Sequence, residues 1–347
     1  LFIHLKLYRK IFSFYKDLAL FCPLILLDGM GWKGYPLVMI IAPITDPVAQ
    51  DHLANISPDG ITRFTMLQGS IKGALISGTR LVSQARANHQ LGILESLALG
   101  QALLSAGLLS TTIKEGTKLG MQINCSGPLK GLSVETTWDG KVRGYLYNDS
   151  VQIDKPLDSF DLQPFIGSGT LSVIRKDERG EPYTGHIQLV HGRIAEDLTE
   201  YFLRSEQTKT ALALSVRFDK DGRLSGAGGL FFQAMPGAQD LDMEDTEDRM
   251  REMPSLGTWF ASGKSRLDLL DQWFRAFEIE HVHEGPVQFY CDCSRERFLQ
   301  FLGAMGKVEL DHMLETGPWP LEIHCHNCGS RYYFPREEIE ELNRKNA

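Results

Sequence analysis

Cysteine is scarce in this sequence, with six in 347 residues, too few for a secreted scaffold stapled by disulfides. Positive charge is not in excess either. The 36 Lys and Arg stand against 44 Asp and Glu, for a formal net charge of −8. A general nucleic-acid binder would carry a basic face, so that class is disfavoured. No unbroken apolar run reaches the roughly 18 residues a membrane span needs. Nucleotide motifs are missing as well. Gly167-Ser168-Gly169-Thr170-Leu171-Ser172 lacks the third glycine of a dinucleotide fingerprint, and Gly263-Lys264-Ser265 follows Trp259-Phe260-Ala261-Ser262 rather than a phosphate loop. Both read as turn glycines. There is no Gly-x-Ser-x-Gly elbow and no catalytic constellation, so the chain reads as a non-enzyme.

What is present is a concentration of the few cysteines. Four form two unlike pairs, Cys291-Asp292-Cys293 and Cys325-His326-Asn327-Cys328, separated by the 31 residues 294–324. Two close-set pairs brought together can place four sulfurs at the corners of a tetrahedron, the geometry of a structural zinc site with Zn–S near 2.3 Å. Both spacings also permit a short disulfide inside the pair. The one across a single residue closes a small, strained ring, and strained disulfides have more oxidising potentials. The same sulfurs can thus exist as a zinc site when reduced and as two local disulfides when oxidised; a permanently structural zinc knuckle fits the spacing too. His281, His283, His312, His324 and His326 are nearby, but four thiolates leave no place for a histidine ligand. Cys125 has no neighbour in sequence and reads as a buried thiol.

The rest of the chain divides around this cluster. Residues 1–54 read as an N-terminal extension. The apolar stretch Leu18–Leu27 follows Lys6, Arg9, Lys10 and Lys16 as in a signal peptide, yet no small-x-small site follows. The plainer expectation is upstream sequence, with the working chain beginning near Met39 and no role for Cys22. Residues 55–235 read as a mixed core domain. Strands are expected over 61–67, 71–76, 118–125, 130–137, 141–147, 186–191, 211–218 and 224–235, with helices over 89–109 and 194–205. Asp139-Gly140 and Asp221-Gly222 mark hairpin turns. Without βαβ alternation the fold class is α+β.

Residues 236–285 read as a linker. Its first part is acidic, from Asp240 to Glu252, and solvated. Its second part carries Leu256, Trp259, Phe260, Leu267, Leu269, Leu270, Trp273, Phe274 and Phe277, in part at helical spacing. Such a face needs something to lie on: the core domain permanently, or a surface from which it can be released. Residues 286–347 form the cysteine module. A short strand leads to Cys291. Ser294 caps a helix that Gly306 ends, a second helix runs over 307–315, and a hairpin carries Cys325 and Cys328. About 60 residues make a small core, so a metal staple is physically sensible.

The stretches Phe289-Tyr-Cys-Asp-Cys-Ser-Arg-Glu-Arg297 and Cys325-His-Asn-Cys-Gly-Ser-Arg-Tyr332, with Gly127-Pro-Leu-Lys-Gly-Leu132 and Tyr201-Phe-Leu-Arg-Ser-Glu-Gln207 upstream, resemble the redox-regulated bacterial thirty-three kilodalton heat-shock protein family. The resemblance covers roughly residues 57 to 345. It implies a cytoplasmic, ATP-independent holdase that captures unfolding client proteins and prevents their aggregation. One Zn2+ would be held in the reduced state by Cys291, Cys293, Cys325 and Cys328. Oxidation would form Cys291–Cys293 and Cys325–Cys328 disulfides, expel zinc, unfold the module and the linker resting on it, and favour a homodimer. No membrane partner is expected. The other class that fits the cysteines alone is a constitutive zinc-ribbon module binding nucleic acid or a protein partner.

Overall fold

The computed structural model describes residues 39–153, 159–177 and 180–345. The apolar stretch 18–27 and Cys22 lie outside the described residues. In chain order, the extended residues 39–46 lead to α1 (Pro47–Asn55), β1 (Gly60–Met66), β2 (Ile71–Ser77), α2 (Thr79–His89) and α3 (Ile93–Leu109). Then come β3 (Lys118–Cys125), β4 (Gly131–Thr137), β5 (Lys141–Leu146), α4 (Gln163–Ile166), β6 (Gly169–Lys176), β7 (Tyr183–Gln188), α5 (Ile194–Ser205), β8 (Thr210–Phe218) and β9 (Leu224–Ala234). The linker holds α6 (Asp240–Glu252), α7 (Leu256–Ala261), α8 (Arg266–Phe274) and β10 (Glu280–Gly285). The last elements are β11 (Gln288–Phe289), α9 (Arg295–Gly303), α10 (Lys307–Thr316), β12 (Leu321–His324), β13 (Arg331–Phe334) and α11 (Arg336–Lys345).

Two sheets enclose one helix. Sheet A has the order β10-β1-β2-β9-β8 and sheet B the order β11-β5-β4-β3-β6-β7. Helix α3 is apolar nearly all round, which requires burial on every side. It packs on β2, β8 and β9 of one sheet and on β3, β4 and β5 of the other. The 20 residues Ile93–Thr112 are long and apolar enough to cross a membrane, but 89% of their most apolar window is buried inside the protein. This is a core helix. The mixed arrangement is α+β, as expected.

Two expectations need correction. One helix was expected over 89–109, but Gln90 takes a left-handed conformation (φ 56°) and Gly92 caps the next helix, so the chain turns between α2 and α3. Gly169 was read as a turn glycine, yet it begins β6, paired to β3. A Cβ there would lie 2.0 Å from the Asn124 carbonyl oxygen, so the missing side chain serves close strand approach. β10, α1, α2 and α11 were not anticipated.

The linker lies on the outer face of sheet A. On β2 and β9, side chains alternate between faces: Ala74, Ile76 and Phe231 join the cluster around α3, while Leu75, Leu230 and Phe232 point the other way. Over the latter pack Leu256, Trp259, Phe260, Leu269, Leu270 and Phe274, all buried. Removing these six side chains from water is worth about 1.5–3 kcal/mol each. Among the described residues, this second cluster contains none from the cysteine module. The expectation of a linker helix resting on the module is therefore corrected: its support is the core sheet. The acidic stretch forms α6, with only Met243 and Thr246 buried among exposed and half-buried residues, and is laced by pairs such as Arg251–Glu247 at 3.0 Å.

One side chain ties the middle of the linker and its last strand to the core. Arg266, at the start of α8, donates to Thr62 Oγ1 (2.9 Å), Ser77 Oγ (2.7 Å), the Pro58 carbonyl (3.0 Å) and Glu284 of β10 (2.8 Å). Removing a partly buried cation with several partners costs about 1–3 kcal/mol. Arg266→Ala is expected to raise amide exchange of α7 and α8 roughly ten- to hundredfold while α3 keeps its protection; hydrogen exchange read by mass spectrometry checks this. Nearby, Asp59 is half-buried, and its Oδ2 accepts from the Leu81 N–H at 2.7 Å, capping α2 where Gly78 has no side chain to do so. Burial pushes its carboxyl up to about 6. An acid raised in the folded state stabilises below its unfolded pKa, and that contribution disappears as pH rises through the folded value. Stability is expected to fall between about pH 4 and 6 by on the order of 3 kcal/mol from this group. Denaturant unfolding of Asp59→Asn across that range should lack the component.

Candidate metal centre

Four sulfurs converge where the module meets the core. β11 delivers Cys291, and Cys293 follows just before Ser294, whose hydroxyl accepts from the Arg297 N–H and starts α9. β12 ends before Cys325. There the chain turns back, with Cys328 and Gly329 N–H groups on the Cys325 carbonyl (3.3 and 2.8 Å) and the Cys325 N–H on Ser330 (2.8 Å). All four cysteines are free and buried. Their sulfurs lie within 4.8 Å of one another, with Cys291–Cys325 at 3.8 Å and Cys293–Cys328 at 3.4 Å. A tetrahedron with metal–sulfur bonds near 2.3 Å has edges of about 3.8 Å. The donor set fits a zinc ion: the sulfurs are soft, four in number, close to the edge length of such a tetrahedron where they approach and closed to solvent, with no position left for a catalytic water.

The electrostatics suit thiolates. Hydrogen bonds from Cys293, Cys325 and Cys328 hold the Cys291 thiol far below its ordinary range, with Arg143 adding to the effect. Donating hydrogen bonds to Cys291 keeps Cys325 and Cys328 protonated well above theirs in the absence of a cation. Arg143 of β5 reaches Cys291 Sγ at 3.4 Å and also pairs with Glu135 (2.7 Å) and Asp292. Burial opposes its charge, but Glu135, Cys291 and Asp292 outweigh that. The Tyr332 hydroxyl lies 3.2 Å from Cys293 Sγ and donates to the Cys293 carbonyl at 3.2 Å. Ser330 Oγ lies 3.2 Å from Cys328 Sγ. Such outer partners orient ligands and tune their basicity.

The core grips the site from outside. Asn88, in the last turn of α2, donates to the Cys328 carbonyl (2.8 Å) and to the Ile40 carbonyl (2.9 Å), and accepts from Ala42 N–H (3.1 Å). The extended residues 39–42 thus run beside the knuckle. Ile40 N–H donates to Ser330 Oγ (2.9 Å), and the buried Met39 thioether accepts from the Cys291 N–H (3.1 Å). Gly144 of β5 donates to the Asn327 carbonyl at 3.0 Å. Met39, Asn88 and Arg143 were not legible as site residues, since their roles come from docking rather than local spacing. Among the described residues the structure brings together the four expected cysteines and no histidine. His324 pairs with Glu322 (2.8 Å), and the His326 ring packs on Tyr145 at 5.5 Å. Cys125 is half-buried and apart from the cluster, its thiol pushed up by burial.

Comparison with known proteins places this arrangement. Residues 59–335 match the family model described as Hsp33 protein. A 33 kDa chaperonin of Acetivibrio thermocellus is 35% identical over 288 residues, covering 82% of this chain and 96% of the relative. One from Ruminiclostridium cellulolyticum is 36% identical over 293 residues, covering 83% and 99%. The crystal structure of the 33 kDa chaperonin (heat shock protein 33 homolog) of Thermotoga maritima superposes with a TM-score of 0.76 at 30% identity, covering 83% of this chain and 99% of that one. Residues 39–58, including the strap beside the knuckle, precede the matched span.

Asn88→Ala removes three hydrogen bonds at the docking surface and leaves the Cys328 carbonyl unpaired, at about 1–3 kcal/mol. Zinc release from the zinc-loaded variant to a chromogenic chelator is expected to run about tenfold faster than from the parent, with all four thiols still reduced.

Proposed function

The chain belongs to the Hsp33 family of chaperones, and on that premise we propose that it is a redox-switched, ATP-independent holdase of the cytoplasm rather than an enzyme. The observation that carries the reading is the convergence of four free, buried sulfurs from two distant pairs into one cluster within 4.8 Å. In the proposed reduced state Cys291, Cys293, Cys325 and Cys328 hold one Zn2+. When bound, the ion neutralises thiolate charge and supplies folding free energy to a small module, on the order of 10 kcal/mol for structural zinc. The proposed division is an extension (1–54), a core domain (55–235), a linker (236–285) and a switch module (286–347).

The proposed switch follows from sulfur chemistry. A peroxide takes two electrons from each pair: two thiolates, one hydrogen peroxide and two protons give one S–S bond and two waters. The products are the Cys291–Cys293 and Cys325–Cys328 disulfides. Sulfurs bonded to each other are no longer thiolate ligands, so the module loses its metal and its fold together. Arg143 then loses its thiolate partner, and β11 and the knuckle lose the geometry that holds them to β5. The linker is reached through the chain: β10 immediately precedes the module, and its Glu284 pairs with Arg266 of α8. Once β10 leaves β1, α7 and α8 lose one anchor, and the apolar face of sheet A under Trp259, Phe260 and Phe274 becomes available to unfolding clients. Two oxidised chains associate through surface freed in this way.

The test is client aggregation followed by light scattering at elevated temperature, with full-length chain that is either zinc-loaded and reduced or peroxide-treated. Protection by the oxidised sample alone, with about one zinc ion released per chain, is the expected result. Equal protection by both samples, with zinc retained throughout, would rule out the switch.

A further inference from the structure

The region from the linker's end to the first cysteine pair supplies an edge strand to each core sheet. β10 pairs antiparallel with β1, and β11 pairs parallel with β5. The two edges differ. On β10, residues 280–284 are all exposed, so apart from the Glu284 pair with Arg266 that edge offers its occupant backbone bonds. On β5 the occupant also buries side chains. Val287 and Phe289 are each 6% exposed, with Gln288 between them facing out. Val287 sits over α3, where a Cβ added to Gly107 would lie 3.5 Å from its methyl group. Phe289 meets the half-buried His89 ring edge-on, 6.2 Å between centroids. Tyr290 lies under Lys141 Nζ at 5.3 Å from its ring centroid. The backbone ladder is explicit: Gln288 N–H donates to the Gly140 carbonyl (3.0 Å) and Tyr290 N–H to the Val142 carbonyl (2.9 Å). Gly140, at φ +79° in its turn, makes room, because a Cβ there would sit 2.1 Å from the Pro286 carbonyl oxygen.

We propose that the β5 edge, vacated when β11 leaves with the oxidised module, is a client-binding site that takes an extended segment of an unfolding polypeptide as an added parallel strand. The inference rests on the switch reading above and names the partner's chemistry at one surface. The chain's own Val287-Gln288-Phe289-Tyr290 is the template: apolar residues at alternate positions, then an aromatic ring for Lys141. Strand addition of this kind draws affinity from main-chain hydrogen bonds and selectivity from alternate side-chain pockets. An unpaired edge with apolar pockets is also a recognised hazard, which the reduced chain avoids by keeping its own strand in place. The site differs from the apolar face of sheet A because it reads the client's backbone.

The experiment uses the full chain, reduced and zinc-loaded or peroxide-treated, with a fluorescent peptide of sequence Gly-Pro-Val-Gln-Phe-Tyr read by anisotropy. Three further peptides carry a single N-methyl group, on the Gln, Phe or Tyr nitrogen. The oxidised chain is expected to bind the parent peptide at least roughly tenfold more tightly than the reduced chain does. Methylation at Gln or Tyr removes a donor aimed at Gly140 or Val142 and should weaken binding roughly tenfold. The Phe nitrogen points away from β5 in a parallel ladder, and its methylation should leave affinity within about twofold. An oxidised chain that suppresses client aggregation yet binds all three methylated peptides alike, or binds none of the peptides, overturns strand addition and leaves the holdase reading intact. An oxidised chain that fails to suppress aggregation overturns both.

Discussion

Four sulfurs drawn from points 31 residues apart in sequence occupy one buried cluster less than 5 Å across, and the module's fold depends on keeping them there. Four thiolates at that spacing repel one another. Without a cation the cluster can hold only part of that charge, which is why Cys291 ionises readily while Cys325 and Cys328 hold their protons. A divalent ion at the centre removes the conflict and fixes both chain segments at once. The module has little else to rely on, since its three short helices and two-stranded sheet enclose a small core. The sulfur cluster is therefore both the centre of that core and, in the proposed mechanism, its point of failure.

The linker and module are attached to the core in different ways. The linker lies on a broad apolar surface of sheet A, with six buried side chains worth on the order of 10 kcal/mol together, the same scale as a structural zinc site. The module is held by a smaller set of contacts: Asn88 to Cys328, Gly144 to Asn327, Arg143 to Cys291, the short β11 ladder on β5, and the buried Val287 and Phe289 side chains. In the proposed mechanism, loss of the metal cluster undoes the module's docking directly, whereas the linker yields only as β10 and the Arg266–Glu284 pair follow. This order separates a sensing step from an exposing step along one continuous piece of chain. The strap at 39–42 adds a contact to the knuckle from outside the span shared with the family model.

What the sequence makes legible is what local spacing encodes. Cys-x-Cys and Cys-x-x-Cys place sulfurs within reach of one ion whatever the surroundings, and Ser294 or Asp139-Gly140 act within a few residues. The hairpins of the core and the two module helices were readable for the same reason. Asn88, Met39 and Arg143 act across hundreds of residues by docking, and nothing in their own neighbourhoods marks them. Gly169 misled because a glycine that permits close strand approach looks, in one dimension, like a glycine in a turn. The linker's apolar face was visible at Trp259, Phe260 and Phe274. Its resting place was not, because β2 and β9 are apolar on both faces and do not advertise which one is covered by what. β10 escaped notice because its side chains are exposed and, Glu284 apart, only its backbone is engaged.

The account's central claim is that the metal-held sulfur cluster keeps the module folded and docked on the core. Native mass spectrometry paired with hydrogen exchange tests this most directly, applied to the zinc-loaded chain before and after a peroxide dose that forms both disulfides. The account predicts that loss of one zinc ion and loss of amide protection at β11, β12 and β13 occur in the same molecules, while α3 stays protected. A population with two disulfides, no ion and unchanged protection across 286–334 would contradict it.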